Sequence, residues 1–114
     1  MITHDRRQSH GAMLAGEVPL YYEVRGEGTP LVLIAGLGAD GASWSGVIAR
    51  LPKSYRTITI DNRGAGRSKI PEKPYTVATM AEDVLRLLEH LKVPKAHILG
   101  HSLGGYVAQE FAIR

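Results

Sequence analysis

Apolar residues fall into two alternating rhythms along this chain, and the alternation predicts the architecture. Short, nearly continuous apolar runs occur at residues 31–35 (Leu-Val-Leu-Ile-Ala), 57–60 (Thr-Ile-Thr-Ile) and 96–99 (Ala-His-Ile-Leu). Runs of this length and β-branched content suit strands buried within a layered fold. Between them the spacing lengthens to that of a helix face. Trp44, Val47, Ile48 and Leu51 recur at i, i+3, i+4 and i+7, and Pro52 ends that stretch. Val77, Met80, Ala81, Val84, Leu87, Leu88 and Leu91 form a second such face, with Thr76 or Thr79 as N-cap and an end near Lys92. Residues 103–114 open with glycines and read as a third helix. Near the amino terminus, residues 12–15 and 20–25 are two short strand-like runs separated by Gly16, Glu17, Val18 and Pro19, the pattern of a hairpin. A turn cluster at residues 25–30 leads into the first buried strand.

Strand, helix, strand, helix, strand, helix after a hairpin predicts an α/β fold. Its sheet is mainly parallel with an amino-terminal antiparallel hairpin, and right-handed crossovers place helices on both faces. Residues 1–11 lack periodicity, so His4, Asp5, Arg6, Arg7 and His10 are read as a flexible leader rather than a metal site. Residues 12–114 then form the amino-terminal portion of a single domain. Tyr21 and Tyr22 suit the second strand by packing alone and receive no chemical role. His90 falls in a last helical turn, near solvent, and His97 alternates into a strand where it is expected to be packed or hydrogen-bonded.

Composition narrows the functions. The 114 residues are 44% hydrophobic and 22% charged, ordinary for a globular protein. The net charge of +3 comes from basic residues interleaved with acidic ones, without the clustered stripe that nucleic-acid phosphates demand. With no cysteine, disulfides, thiolate metal sites and thiol nucleophiles are excluded, a composition that suits the cytoplasm. No run of 18 apolar residues and no signal-peptide pattern is present, so neither membrane insertion nor export is expected.

The chemistry concentrates at residues 96–105, where an apolar strand stops at Gly100-His101-Ser102-Leu103-Gly104-Gly105 and a helix begins. With 13 glycines in the chain, a Gly-x-Ser-x-Gly arises by chance in about one such chain in thirteen, so the motif needs its context. A strand before it and a helix after it supply that context. The flanking glycines leave room for a sharp turn that lifts the Ser102 hydroxyl clear of the sheet as a nucleophile.

A second glycine loop competes for the site. Gly36, Gly38 and Gly41 follow a strand and precede a helix, and Asp61 ends the next strand, which also satisfies a dinucleotide-binding fingerprint. That scheme has no use for the turn at Ser102. An acyl-transfer site uses both loops, because a tetrahedral oxyanion needs one N–H from the residue after the serine, Leu103, and one from an earlier loop, Leu37.

Three motifs together resemble the amino-terminal part of the α/β-hydrolase family, from about Leu20 onward. They are the Ala35-Gly36-Leu37-Gly38 loop, Asp61-x-Arg63-Gly64-x-Gly66-x-Ser68, and the Gly100–Gly105 elbow. Family loops often carry His-Gly where this chain has Ala35-Gly36, a departure that keeps the Leu37 backbone donor. The resemblance implies catalysis by Ser102, an oxyanion hole at Leu37 and Leu103, a structural role for Asp61, and no metal or cofactor. A serine at position 102 sets the chain apart from the haloalkane dehalogenase and epoxide hydrolase branches, which place aspartate there. The motif wording is most similar to small-molecule esterases and enol-lactone hydrolases, so a small ester, thioester or lactone is the expected substrate. In that family the acid and the histidine follow the serine. After Ser102 this sequence holds only Glu110 as an acid and no histidine, and the ring of His101, next to Ser102 on a tight turn, is expected to point away from the hydroxyl.

The expectation is therefore a truncated hydrolase, inactive by itself, whose strand at residues 96–99 leaves a bare sheet edge prone to self-association. A second expectation, a ligand-binding or scaffold remnant of a hydrolase, stays open beside it.

Overall fold

The computed structural model describes residues 8–15, 18–35, 44–51, 53–61, 76–101 and 103–112. Eight elements follow one another: β1 (Gln8–Ala15), β2 (Val18–Arg25), β3 (Thr29–Ile34), α1 (Ser45–Ile48), β4 (Tyr55–Ile60), α2 (Val77–His90), β5 (His97–Gly100) and α3 (Leu103–Ala112). The strands form one sheet in the order β1-β2-β4-β3-β5. Strand β3 pairs in parallel with both β4 and β5, giving the expected parallel centre. The hairpin β1–β2 is antiparallel and also joins β4 antiparallel, so the sheet is mixed. Strand β1 begins at Gln8, inside the stretch read from sequence as leader.

Alternation along β3 explains both faces. Val32 and Ile34 point to one side with Ile58 and Ile60 of β4, Leu20 and Val24 of β2, and the apolar faces of α2 and α3. Leu31, Leu33 and Ala35 point to the other side, where Trp44 covers them. Helices thus lie on both faces, with unequal cores: thirteen buried residues on the α2/α3 side and four on the α1 side.

Helix α2 forms where the periodicity places it. Thr76 is its N-cap: the Thr79 N–H donates to Thr76 Oγ1 at 3.1 Å, and the Thr76 N–H donates to Thr79 Oγ1 at 3.3 Å. Such a reciprocal cap contributes about 1 kcal/mol. The helix ends with Lys92 at φ 58°. The Val93 N–H donates to Leu88 O and the Lys92 N–H to Glu89 O, a left-handed cap that usually falls on glycine. At the same end Tyr22 Oη and His90 Nε2 lie 3.4 Å apart, tying β2 to the last turn of α2.

Two sequence expectations fail here. Val47 is 41% exposed, because α1 is a single turn and only Trp44, Ile48 and Leu51 of the expected face reach the sheet. His97 is exposed rather than packed, because among the described strands β5 has a neighbour on one side only.

Candidate active site

The carboxyl ends of the three parallel strands lie side by side. Ile34 of β3 is in register with Ile60 of β4 and with Gly100 of β5, so Ala35, Asp61 and His101 leave the sheet along one rim. In open α/β sheets such a rim is where ligands bind.

The elbow is built by close backbone packing. The His101 N–H donates to Ile34 O at 3.1 Å, and the Gly104 N–H donates to His101 O at 2.9 Å. Gly104, in the first turn of α3, sits directly on the end of β3. A Cβ there would overlap the Ile34 carbonyl and lie 2.8 Å from Ala35 O. A Cβ on Gly100 would likewise overlap the Gly104 carbonyl. The two glycines that flank the serine in sequence are therefore required by the meeting of strand and helix, which sets the first residue of α3, Leu103, against the exit of β3. Ser102 and Leu37 themselves lie outside the described residues, as do Gly36, Gly38 and Gly41. Of the sequence-named site residues, Leu103 and Asp61 are described. Leu103 is half-buried at the start of α3. His101 is exposed at the end of β5.

Asp61 is 1% exposed. Its N–H donates to Tyr21 O at 2.9 Å, and its burial at the end of β4 leaves little carboxylate surface to offer a ribose, as the dinucleotide alternative requires. Asp83, a second acid, is 3% exposed on the inner face of α2. Sequence reading passed over Asp83 because only apolar positions were counted, although its place between Met80 and Val84, at i+3 from one and i−1 from the other, carried the signal. Both aspartates take part in polar or electrostatic interactions. On the α1 side of β2, the Tyr21 hydroxyl donates to Glu23 Oε1 at 2.9 Å and Arg25 Nη2 donates to Glu23 Oε2 at 3.1 Å. That cluster lies along the strand and serves the sheet surface.

Among the described residues no group of three or more His, Asp or Glu could hold a metal, and no helix is long and apolar enough to cross a membrane.

Comparison with known proteins identifies the family of the chain. Residues 29–114 match the family of the alpha/beta hydrolase fold. A protein of Azorhizobium caulinodans, provisionally named a carbamate hydrolase, RutD, is 38% identical over 98 residues, covering 86% of this chain and 37% of that protein. The solved structure of the epoxide hydrolase CorEH superposes with a TM-score of 0.86 at 35% identity, over 92% of this chain and 37% of that one. That of Est816, described as an enzyme degrading N-acyl homoserine lactones, gives a TM-score of 0.86 at 32% identity, over 90% and 40%. The chain spans roughly two fifths of the length of these relatives.

Proposed function

The chain belongs to the α/β-hydrolase fold family, and on that premise we propose that the protein is a serine hydrolase acting on a small ester, thioester or lactone through an acyl-enzyme on Ser102. The observation that carries the reading is the packing of Gly104 against the Ile34 and Ala35 carbonyls. It brings the start of α3, and with it Leu103, to the exit of β3, the strand that Leu37 follows in sequence. In the proposed reaction the Ser102 hydroxyl attacks the acyl carbon, its proton passes to a histidine, and the amides of Leu37 and Leu103 receive the oxyanion. The histidine then protonates the departing alcohol or thiol, and water later releases the acid. This sequence holds no histidine after Ser102, so the 114 residues alone lack the base and are nearly inactive.

Relatives with this fold carry names for carbamate, epoxide and lactone chemistry. A serine at position 102 favours acyl transfer over epoxide opening by a carboxylate. The reading calls on no metal or cofactor, and we propose a cytoplasmic location with it.

An organophosphonate tests the assignment. Mass spectrometry of the labelled full-length protein should find the adduct on Ser102, and Ser102→Ala should abolish it together with nitrophenyl acetate turnover. The 114-residue chain should hydrolyse that ester at least about 10³-fold more slowly than the full-length protein, because a serine without its base is a poor nucleophile. Labelling that persists in Ser102→Ala sinks the reading. A full-length protein that neither labels nor turns over, yet binds a lactone, would favour a binding protein that kept the hydrolase shell.

A further inference from the structure

At the hairpin end of the sheet, the outer edge of β1 has no neighbouring strand among the described residues. Edge strands in natural proteins are blunted by shortness, charge, proline or a bulge. Strand β1 has none of these. It runs for eight residues, Gln8–Ala15, without Asp, Glu, Lys, Arg or Pro, and each residue has one partner in β2, so no bulge interrupts the register. The opposite edge strand, β5, is only four residues long.

The hydrogen bonds of β2 fix which backbone groups of β1 face outward. Tyr21 O accepts from the Asp61 N–H, and Arg25 O accepts from Thr57 Oγ1, so both carbonyls point to β4 and away from β1. In an antiparallel pair, bonded and non-bonded partners alternate. Ala12 and Gln8, opposite Tyr21 and Arg25, are therefore non-bonded partners, as are His10 opposite Glu23 and Leu14 opposite Pro19, a residue with no N–H to give. The N–H and C=O groups of Gln8, His10, Ala12 and Leu14 thus make up the free edge.

That set is self-complementary. A twofold axis at Gly11 runs a second copy of β1 antiparallel to the first, with Gln8 opposite Leu14 and His10 opposite Ala12. Every outward group then meets an outward group, in about eight N–H···O bonds. Moving the axis to His10 or Ala12 carries Leu14 or Gln8 past the end of the partner strand, and moving it by half a residue sets outward groups against inward ones. At no position does an Asp, Glu, Lys or Arg face its own kind, since β1 contains none. We propose that the β1 edge is a homodimer interface, in which two copies pair about a twofold axis at Gly11 and join their sheets into one. A single strand pair buries less than the roughly 1,200 Å² of standard complexes, so the dimer is weak and reversible. The inference goes beyond the hydrolase reading and does not depend on it.

The test uses the full-length protein with Leu99→Lys present throughout, so that the β5 edge contributes nothing. Sedimentation over about 1 to 300 μM should show monomer passing to dimer. Ala12→Pro removes an outward N–H and leaves the β1–β2 bonds in place. Its dissociation constant should rise at least about tenfold, with the urea midpoint near that of the parent. Ser9→Cys combined with Met13→Cys reads the register independently. Across the axis these positions are non-bonded partners about 4.5 Å apart at Cα, a separation that a disulfide spans, whereas within one strand they lie about 13 Å apart. The 114 residues hold no cysteine, so oxidation should link two copies through the introduced thiols, as peptide mapping will show. Ser9→Cys combined with Leu14→Cys, one residue out of register and on opposite faces, should cross-link at least about tenfold more slowly.

A parent that stays monomeric over the whole range overturns the proposal, whether other chain covers the edge or solvent does. So does an Ala12→Pro protein that dimerises as tightly as the parent, or equal cross-linking by the two thiol pairs. If Ala12→Pro lowers the urea midpoint, the thiol pairs decide by themselves, because neither touches the backbone bonds of β1.

Discussion

Strands β3 and β5 are neighbours, parallel and in register, with closely similar apolar content, yet they occupy opposite conditions. In β3, Val32, Leu33 and Ile34 are wholly buried; in β5, exposure alternates and Leu99 is 45% exposed. The pair Leu33 and Leu99 isolates the cause. They sit opposite each other on the same face of the sheet, so residue type, strand direction and face are identical. What differs is position: β3 has strands on both sides and Trp44 above it, whereas β5 has β3 on one side only among the described strands. Burial here follows from place in the strand order and not from local hydrophobicity.

The sharpest test of that contrast is a pair of truncations. Leu33→Ala should cost about 3 to 4 kcal/mol, the lost transfer free energy plus a cavity in a site with little freedom to collapse. Leu99→Ala should cost less than about 1 kcal/mol, because much of its side chain already meets solvent. Urea unfolding of both variants measures the difference, and equal losses would dissolve the contrast.

A smaller effect is expected where the two strands are joined. Gly104→Ala places a methyl group against the Ile34 and Ala35 carbonyls, backbone atoms that cannot rotate away, so α3 must shift from β3 at a cost of about 2 to 3 kcal/mol. Because that shift moves the Leu103 amide, labelling at Ser102 should slow more than global stability alone would explain. Phosphonate labelling rate plotted against urea midpoint separates the two effects.

The smallest change in stability belongs to the open side of β5. Leu99→Lys should alter stability by no more than about 0.5 kcal/mol. We propose that the β5 edge, which has no further strand beside it among the described residues, pairs with a second copy, and a charge there should suppress it. Sedimentation of the two chains at matched concentration decides this, with a shift toward monomer expected for the lysine variant. A parent chain that is already monomeric would remove the proposal.

Much of the fold was legible because it is written in local rules. The hairpin, the three apolar strands and α2 with its Thr76 cap follow from period and capping chemistry, each of which acts within a few residues. The need for Gly100 was legible for the same reason, since a Cβ there would meet the Gly104 backbone four residues on, whereas Gly104 answers to the Ile34 and Ala35 carbonyls, which are distant in sequence. Val47 and His97 were misjudged because periodicity says which residues share a face but not whether anything covers that face. Asp83 was overlooked because a buried acid is decided by what surrounds it, which no spacing records.

By itself, then, the chain's pattern determined which segments become strands and helices, which residues share a face, and that the strand ending at Gly100 and the helix starting at Leu103 lie on either side of a serine in sequence. These are consequences of backbone geometry repeating every two or 3.6 residues. Only the tertiary structure decided that β4 inserts between β2 and β3, that Trp44 rather than Val47 reaches the sheet, and that Gly104 rests on the carbonyls ending β3. Those outcomes depend on contacts between residues distant in sequence, where the strength of an interaction is set by who is excluded from water and by how closely two backbones can approach.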